Sequence, residues 1–237
     1  LKNALYYGCK LFALTTCILF SIHGCKKDNE VREQGISKEY FPVNPGHEVV
    51  YDVELITKSS FTGLWDSSYF SIKEVIASTY LDNENRVTQR IERFIKNDTT
   101  PDWTIYKVWA ANRLSTSAER YEDNIRYVKL NFAPGLGKEC NGNSQNTMEP
   151  WMYRYSAIDQ PGSLGNLYFD STLTVIQFED SNAVFLWDYT EQYATGIGMI
   201  YKENRELEFI PSLSPCDSCD NIEEAYIYRE RAVSFVK

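Results

Sequence analysis

Few side chains in this sequence stand in patterns that do chemistry. Cys216-Asp217-Ser218-Cys219 has the CxxC spacing of a redox pair or of half a zinc site. A redox CxxC opens a helix after a strand, where the helix dipole lowers the thiol pKa. Here it follows Pro211-Ser212-Leu213-Ser214-Pro215, a loop. Zinc would need Cys140 and His47 to join it from distant parts of the chain. A loop disulfide between Cys216 and Cys219 therefore ranks first, redox chemistry second and zinc third. His47 is the one histidine after residue 24, so any Ser-His or Cys-His arrangement depends on it. It follows Pro45-Gly46, as a turn residue does. Carboxylates abound, among them Asp52, Glu54, Glu92, Glu119, Glu122, Asp123, Glu179, Asp180 and Asp188. A glycosidase needs two of them facing each other across about 5–9 Å, and facing is not a property of sequence. Asp217, Asp220, Asn221, Glu223 and Glu224 offer oxygens to Ca²⁺ but lack EF-hand spacing. Gly135-Leu136-Gly137 and Gly196-Ile197-Gly198 are too short to cradle a phosphate, and no helix start follows either. The first reads as a turn and the second as a strand approached closely by another group. No motif calls for a cofactor.

Cys25 is different, because its neighbours specify one reaction. Lys2 and Lys10 precede a mostly apolar run over residues 11–22. That run is too short for a bilayer core, which takes about 20 residues, and fits the apolar region of a secretory signal. Ile22-His23-Gly24-Cys25 closes it and resembles a bacterial lipobox, in which the cysteine sulfur takes a diacylglycerol and becomes the new N-terminus. Acyl chains such as palmitate then hold the protein on the membrane, at about 0.8 kcal/mol per buried CH₂. The expected organisation is a signal peptide over 1–24, a polar tether over 25–39 and one domain over 40–237. The expected location is the cell envelope, on the outer membrane, with the membrane face open.

Composition narrows the partners. Two of the 24 basic residues lie before Cys25, which leaves 22 against 33 acidic ones. An acidic surface argues against nucleic acid, whose phosphates require Lys and Arg, and against docking on anionic lipid. Aromatics make up 14% of the chain, with 17 Tyr, which favours strands.

The elements that must position any site read as strands. Val49, Tyr51, Val53 and Leu55 alternate with polar or outward residues. Further strands are expected over 68–81, 87–96, 103–111, 120–132, 152–158, 167–178, 184–191, 198–203, 206–210 and 225–236, with a long Gly- and Asn-rich loop over 133–150. Nine or ten strands joined by short turns predict an all-β, antiparallel curved sheet, an incomplete or closed β-barrel, with a β-sandwich as runner-up. Most aromatics then belong to the core. Trp151, Trp109 and Tyr153 are the candidates to face a ligand.

Four segments together carry a resemblance. Tyr40-Phe41-Pro42 with Gly46 and Tyr51, Glu122 to Leu130 (EDNIRYVKL), Asn141-Gly142-Asn143 and Tyr193 to Glu203 (YATGIGMIYKE) resemble, in that order, an uncharacterised lipoprotein family of Bacteroidetes-type bacteria. Glu48 and Cys140 stand where the family pattern has Trp. The resemblance implies an envelope lipoprotein with a curved sheet, similar to carriers of lipophilic molecules, and no established activity. Three readings follow: a non-enzymatic binding protein for a lipophilic ligand, a structural or partner-binding subunit of an envelope assembly, and a carboxylate-based glycan enzyme.

Overall fold

The alternation at Val49, Tyr51 and Val53 sets the architecture. These three side chains are buried while Asp52 between them is exposed, so β1 (Glu48–Lys58) turns one face inward. The computed structural model describes residues 35–97, 99–133, 137–210 and 221–237. It continues with β2 (Trp65–Leu81), β3 (Val87–Asn97), β4 (Thr100–Arg113), β5 (Ser117–Glu122) and β6 (Ile125–Asn131). After these come β7 (Glu139–Asn141), β8 (Met152–Leu164), β9 (Leu167–Ser181), β10 (Phe185–Ala194), β11 (Gly198–Phe209) and β12 (Ile222–Val236). No α-helix occurs among the described residues.

All twelve strands form one antiparallel sheet in the order β6-β5-β4-β3-β2-β1-β12-β11-β10-β9-β8-β7. β12 returns to pair along all of β1, from Glu48↔Val236 to Lys58↔Ala225. The sheet curls into a nearly closed barrel with one unsealed seam, between β6 and β7. This is the barrel of the sequence reading; the two-sheet sandwich is not formed. β7 has only three residues, too few to pair along β6. Single contacts bridge the seam instead. Val128 N–H donates to Gly142 O at 2.8 Å, and Asn146 Nδ2 donates to Arg126 O at 2.9 Å. The Tyr155 hydroxyl accepts Asn131 N–H at 2.7 Å and donates to Asn131 O at 3.1 Å, replacing a strand partner.

The two ends differ. One is closed by residues 35–41, which include a 3₁₀ turn at Lys38–Tyr40. Ile36 N–H donates to Phe132 O, Gly196 N–H donates to Glu39 O, and Arg113 Nη1 donates to the carbonyls of Lys38 and Phe41. Tyr40 is fully buried, its hydroxyl donating to Asp159 Oδ1 at 2.6 Å. Pro42 lies against Gly198, whose φ of +91° and 3.2 Å clearance for a Cβ explain a glycine there. At the other end β2 is exposed on both faces from Trp65 to Tyr69, and the β1–β2 loop carries exposed Phe61 and Leu64. The outer wall bears ion pairs, Arg229–Glu54 at 2.9 Å, Arg229–Glu203 at 2.6 Å and Arg205–Asp188 at 3.0 Å.

Several expectations are corrected. Residues 35–39 belong to the domain rather than the tether, because Ile36 is buried against it. The expected strand over 120–132 is the hairpin β5–β6, turned at Asp123 and Asn124 with φ of +50° and +68°. Asp and Asn tolerate that conformation, and a two-residue turn of this hand suits strand twist. The two strands expected over 198–210 are one, β11. β8 runs on through Pro161 and Gly162 by register shifts at 155/157, 158/160 and 160/162. The expected loop over 133–150 contains β7.

Candidate functional site

Inward positions at mid-height are where apolar side chains belong, yet here they are charged. Glu74 (β2), Arg93 (β3), Arg120 and Glu122 (β5), Lys129 (β6), Glu191 (β10), Lys202 (β11) and Glu230 (β12) form a belt around the interior. Cross-strand register puts them at one level: Glu74 faces Arg93, and Lys202 faces both Glu191 and Glu230. Arg93 Nη2 lies 2.5 Å from Glu230 Oε1 and Arg93 Nε 3.4 Å from Glu74 Oε2, while Arg120 pairs with Glu74. Lys129 Nζ lies 2.5 Å from Glu191 Oε1 and 3.5 Å from Glu122. Tyr193 and Tyr228 hydroxyls donate to Glu191 and Glu230. Four acids against four bases leave the belt with no net charge, which is how so many ions can be buried at all.

β4 contributes an aromatic ring to this level. The Arg93 and Arg120 guanidinium carbons lie 4.2 and 5.4 Å from the Trp109 ring centre. Its Nε1–H donates to Asp123 Oδ1 at 3.3 Å, and Asp123 also accepts from Lys107 at 2.6 Å. Towards the closed end the belt rests on an apolar core that includes Val49, Tyr51, Leu130, Leu173 and Ile200.

A cavity of about 290 Å³ adjoins the belt. Its walls are Trp109, Tyr106, Tyr226 and Tyr228, and its charged lining includes Arg120, Glu122 and Lys202. Four groups there are short of hydrogen-bond partners among the described residues. Lys202 donates no hydrogen bond, and Glu191 Oε1 is 3.9 Å from its ammonium. Glu122 accepts none, with Lys129 at 3.5 Å. Arg120 Nε and Asn204 Oδ1 are buried without a hydrogen-bond partner.

Burial alone would raise the Glu122 carboxyl, but Lys129, Lys202, Arg120 and Arg93 outweigh it and hold the group at about 2. Glu230 shows the same balance: burial raises it, and Arg93 and Lys202 bring it below the usual carboxylate range. A folded-state pKa below the unfolded one means stability that is present above the unfolded value of 4.5 and lost as pH falls through the folded value. The melting temperature should therefore hold from pH 7 to about 5 and drop steeply between pH 4.5 and about 2. Circular dichroism melts of the wild type and Glu122→Gln check this, the variant showing a shallower drop.

The sequence-derived candidates separate. Trp109 lines the cavity. Trp151 instead stacks on Phe178 at 5.6 Å and meets Tyr189 at 5.3 Å, in an aromatic group that Trp187 and Phe185 extend along β10. Tyr153 is 1% exposed and packs on Gly142, within the core and away from the lining of this cavity. His47 is buried with Nε2 2.8 Å from Ile197 O, and the free Cys140 thiol is buried 3.9 Å from the Tyr155 hydroxyl. Each is engaged where it stands, and they do not converge on a zinc site. Gly196-Ile197-Gly198 is the β10–β11 turn. Cys25, Cys216 and Cys219 lie outside the described residues. Sequence reasoning missed the belt: its signal was charge at inward positions of alternating strands, as at Glu74, Arg93, Arg120 and Glu230.

No protein-family model matches this sequence, and no curated protein matches it. The reading of its role rests on the site itself and on the four sequence segments described above.

Proposed function

We propose that this chain is an envelope lipoprotein, anchored through lipid on Cys25 at the outer membrane, whose barrel is a non-enzymatic binding protein for a small molecule. The observation that carries the binding reading is the cavity beside the belt, where Arg120 Nε and Asn204 Oδ1 are buried without a hydrogen-bond partner and Lys202 and Glu122 keep only long ion pairs. Polar groups buried without partners cost free energy that a ligand can recover. The same groups disfavour the wholly lipophilic occupant implied by the resemblance, which would desolvate them and return nothing. The occupant is polar on at least one side.

The glycan-enzyme reading has less support. A general acid needs a raised carboxyl pKa, and the cations around Glu122 and Glu230 lower theirs. The partner-binding reading has one specific observation in its favour, the exposed Phe61, Leu64 and Trp65 at the open end. Intact and native mass spectrometry of the full chain, extracted gently from a bacterial envelope, tests the proposal. The denatured mass should include a diacylglyceryl group that Cys25→Ala loses. The native mass should include a discrete adduct that is released on unfolding. A bare native mass after repeated gentle preparations would shift the reading to partner binding.

A further inference from the structure

We infer that the cavity takes a neutral, polyhydroxylated ligand, a sugar ring at the end of a glycan or a free mono- or disaccharide. The inference rests on the binding reading above and adds the chemical class. It starts from what the cavity lacks. Arg120 Nε and Asn204 Oδ1 there have no hydrogen-bond partner, and the Lys202 ammonium and Glu122 carboxylate, held only by ion pairs at 3.9 and 3.5 Å, keep capacity to donate and to accept. Arg120 is 9% exposed and Lys202 20%, so both meet the cavity from its wall. A ligand that satisfies this set must both donate and accept, at several points.

Charge then decides between the ligands that do so. The cavity lining holds Arg93, Lys107, Arg120 and Lys202 against Glu122, Asp123, Glu191 and Glu230, which cancel. An added anion would face three buried carboxylates already matched to cations. An added ammonium at Glu122 would enter the field of Lys129, Lys202, Arg120 and Arg93, which holds that carboxylate ionised. A zwitterion meets both objections at once. Hydroxyl groups meet neither: each donates to Glu122 or Asn204 and accepts from Lys202 or Arg120 with no charge to neutralise.

The walls fit the same class. Tyr106, Tyr226 and Tyr228 offer ring surface beside the polar floor, and a sugar ring presents apolar C–H faces between its hydroxyls. Trp109 serves a different purpose, since Arg93 and Arg120 already lie against its ring. It holds the two guanidiniums in place. The volume of about 290 Å³ is at the small end for ligand pockets, which run from roughly 300 to 1,000 Å³. That suits one or two rings and not a long acyl chain.

Saturation-transfer NMR and calorimetry with the full chain give the test. The probes are mono- and disaccharides of glucose, galactose, mannose and N-acetylglucosamine, with glutamate and laurate as charged and lipophilic controls. At least one neutral sugar should bind, and Lys202→Met and Asn204→Ala should each weaken it at least tenfold with the melting transition retained. Sugar binding unchanged in both variants would overturn the site. Binding of glutamate or laurate, lost in Lys202→Met, with no sugar bound would overturn the class and leave the binding reading standing. No probe bound, together with a bare native mass, would overturn both.

Discussion

Arg93→Met should destabilise the protein by about 3–5 kcal/mol, and a second change, Glu230→Met, should restore much of that loss. Arg93 is almost fully buried and carries the contacts to Glu230 and Glu74 from one side chain. Removing it leaves the Glu230 carboxyl, 2% exposed, with only the Tyr228 hydroxyl and the more distant Lys202. The cost comes from the orphaned charge and not from the lost attraction. An apolar pair would fill the same space with neither charge to desolvate. Urea unfolding of the two single variants and the double variant measures the coupling. Strictly additive losses would show that the pair is solvated in solution and that the belt is not closed.

Gly142→Ala should open the seam. A Cβ at this position would lie 2.2 Å from Tyr153 Cζ, and that ring is buried with nowhere to retreat. Overpacking of this kind costs about 1–3 kcal/mol. Here it also displaces the carbonyl that accepts Val128 N–H, a backbone bond spanning β6 and the β7 side. Hydrogen exchange at the Val128 amide should rise by more than at Val53, whose β1 backbone is paired on both sides. Equal acceleration at both amides would mean that the variant loosens the whole barrel and that the seam is no weaker than the rest.

The seam also shows where sequence reading stops. β6 and β7 are neighbours in the chain, and the usual expectation is that such neighbours pair. They do not, and β7, with three residues, is too short to pair along β6; strand length of this kind is not encoded in periodicity. The hairpin turn at Asp123 and Asn124 was hidden for a related reason. Asp123-Asn124 is a turn signal, but it is two residues long between strand-like Arg120–Tyr121 and Ile125–Leu130, and the reading as one strand passes over it. Pro161 and Gly162 misled in the opposite sense, since register shifts let β8 carry both.

The sequence by itself determined that this is an all-β chain with inward alternation at Val49, Tyr51 and Val53, because a period of two admits no other element. It determined the acidic balance and the apolar run ending at Gly24-Cys25, since composition and local order are read directly from it. It also singled out Trp109. Only the tertiary structure decided what surrounds that ring. Glu74, Arg93, Arg120, Glu122, Lys129, Glu191, Lys202 and Glu230 are spread over more than 150 positions of the chain. Each alone reads as solvated surface. Closure of the sheet puts β12 beside β1 and brings β10 opposite β6, and that turns eight scattered charges into one neutral belt with a polar cavity beside it. Charge compensation is a property of distance, and distance across a barrel is set by strand register and closure, which no local stretch of sequence contains.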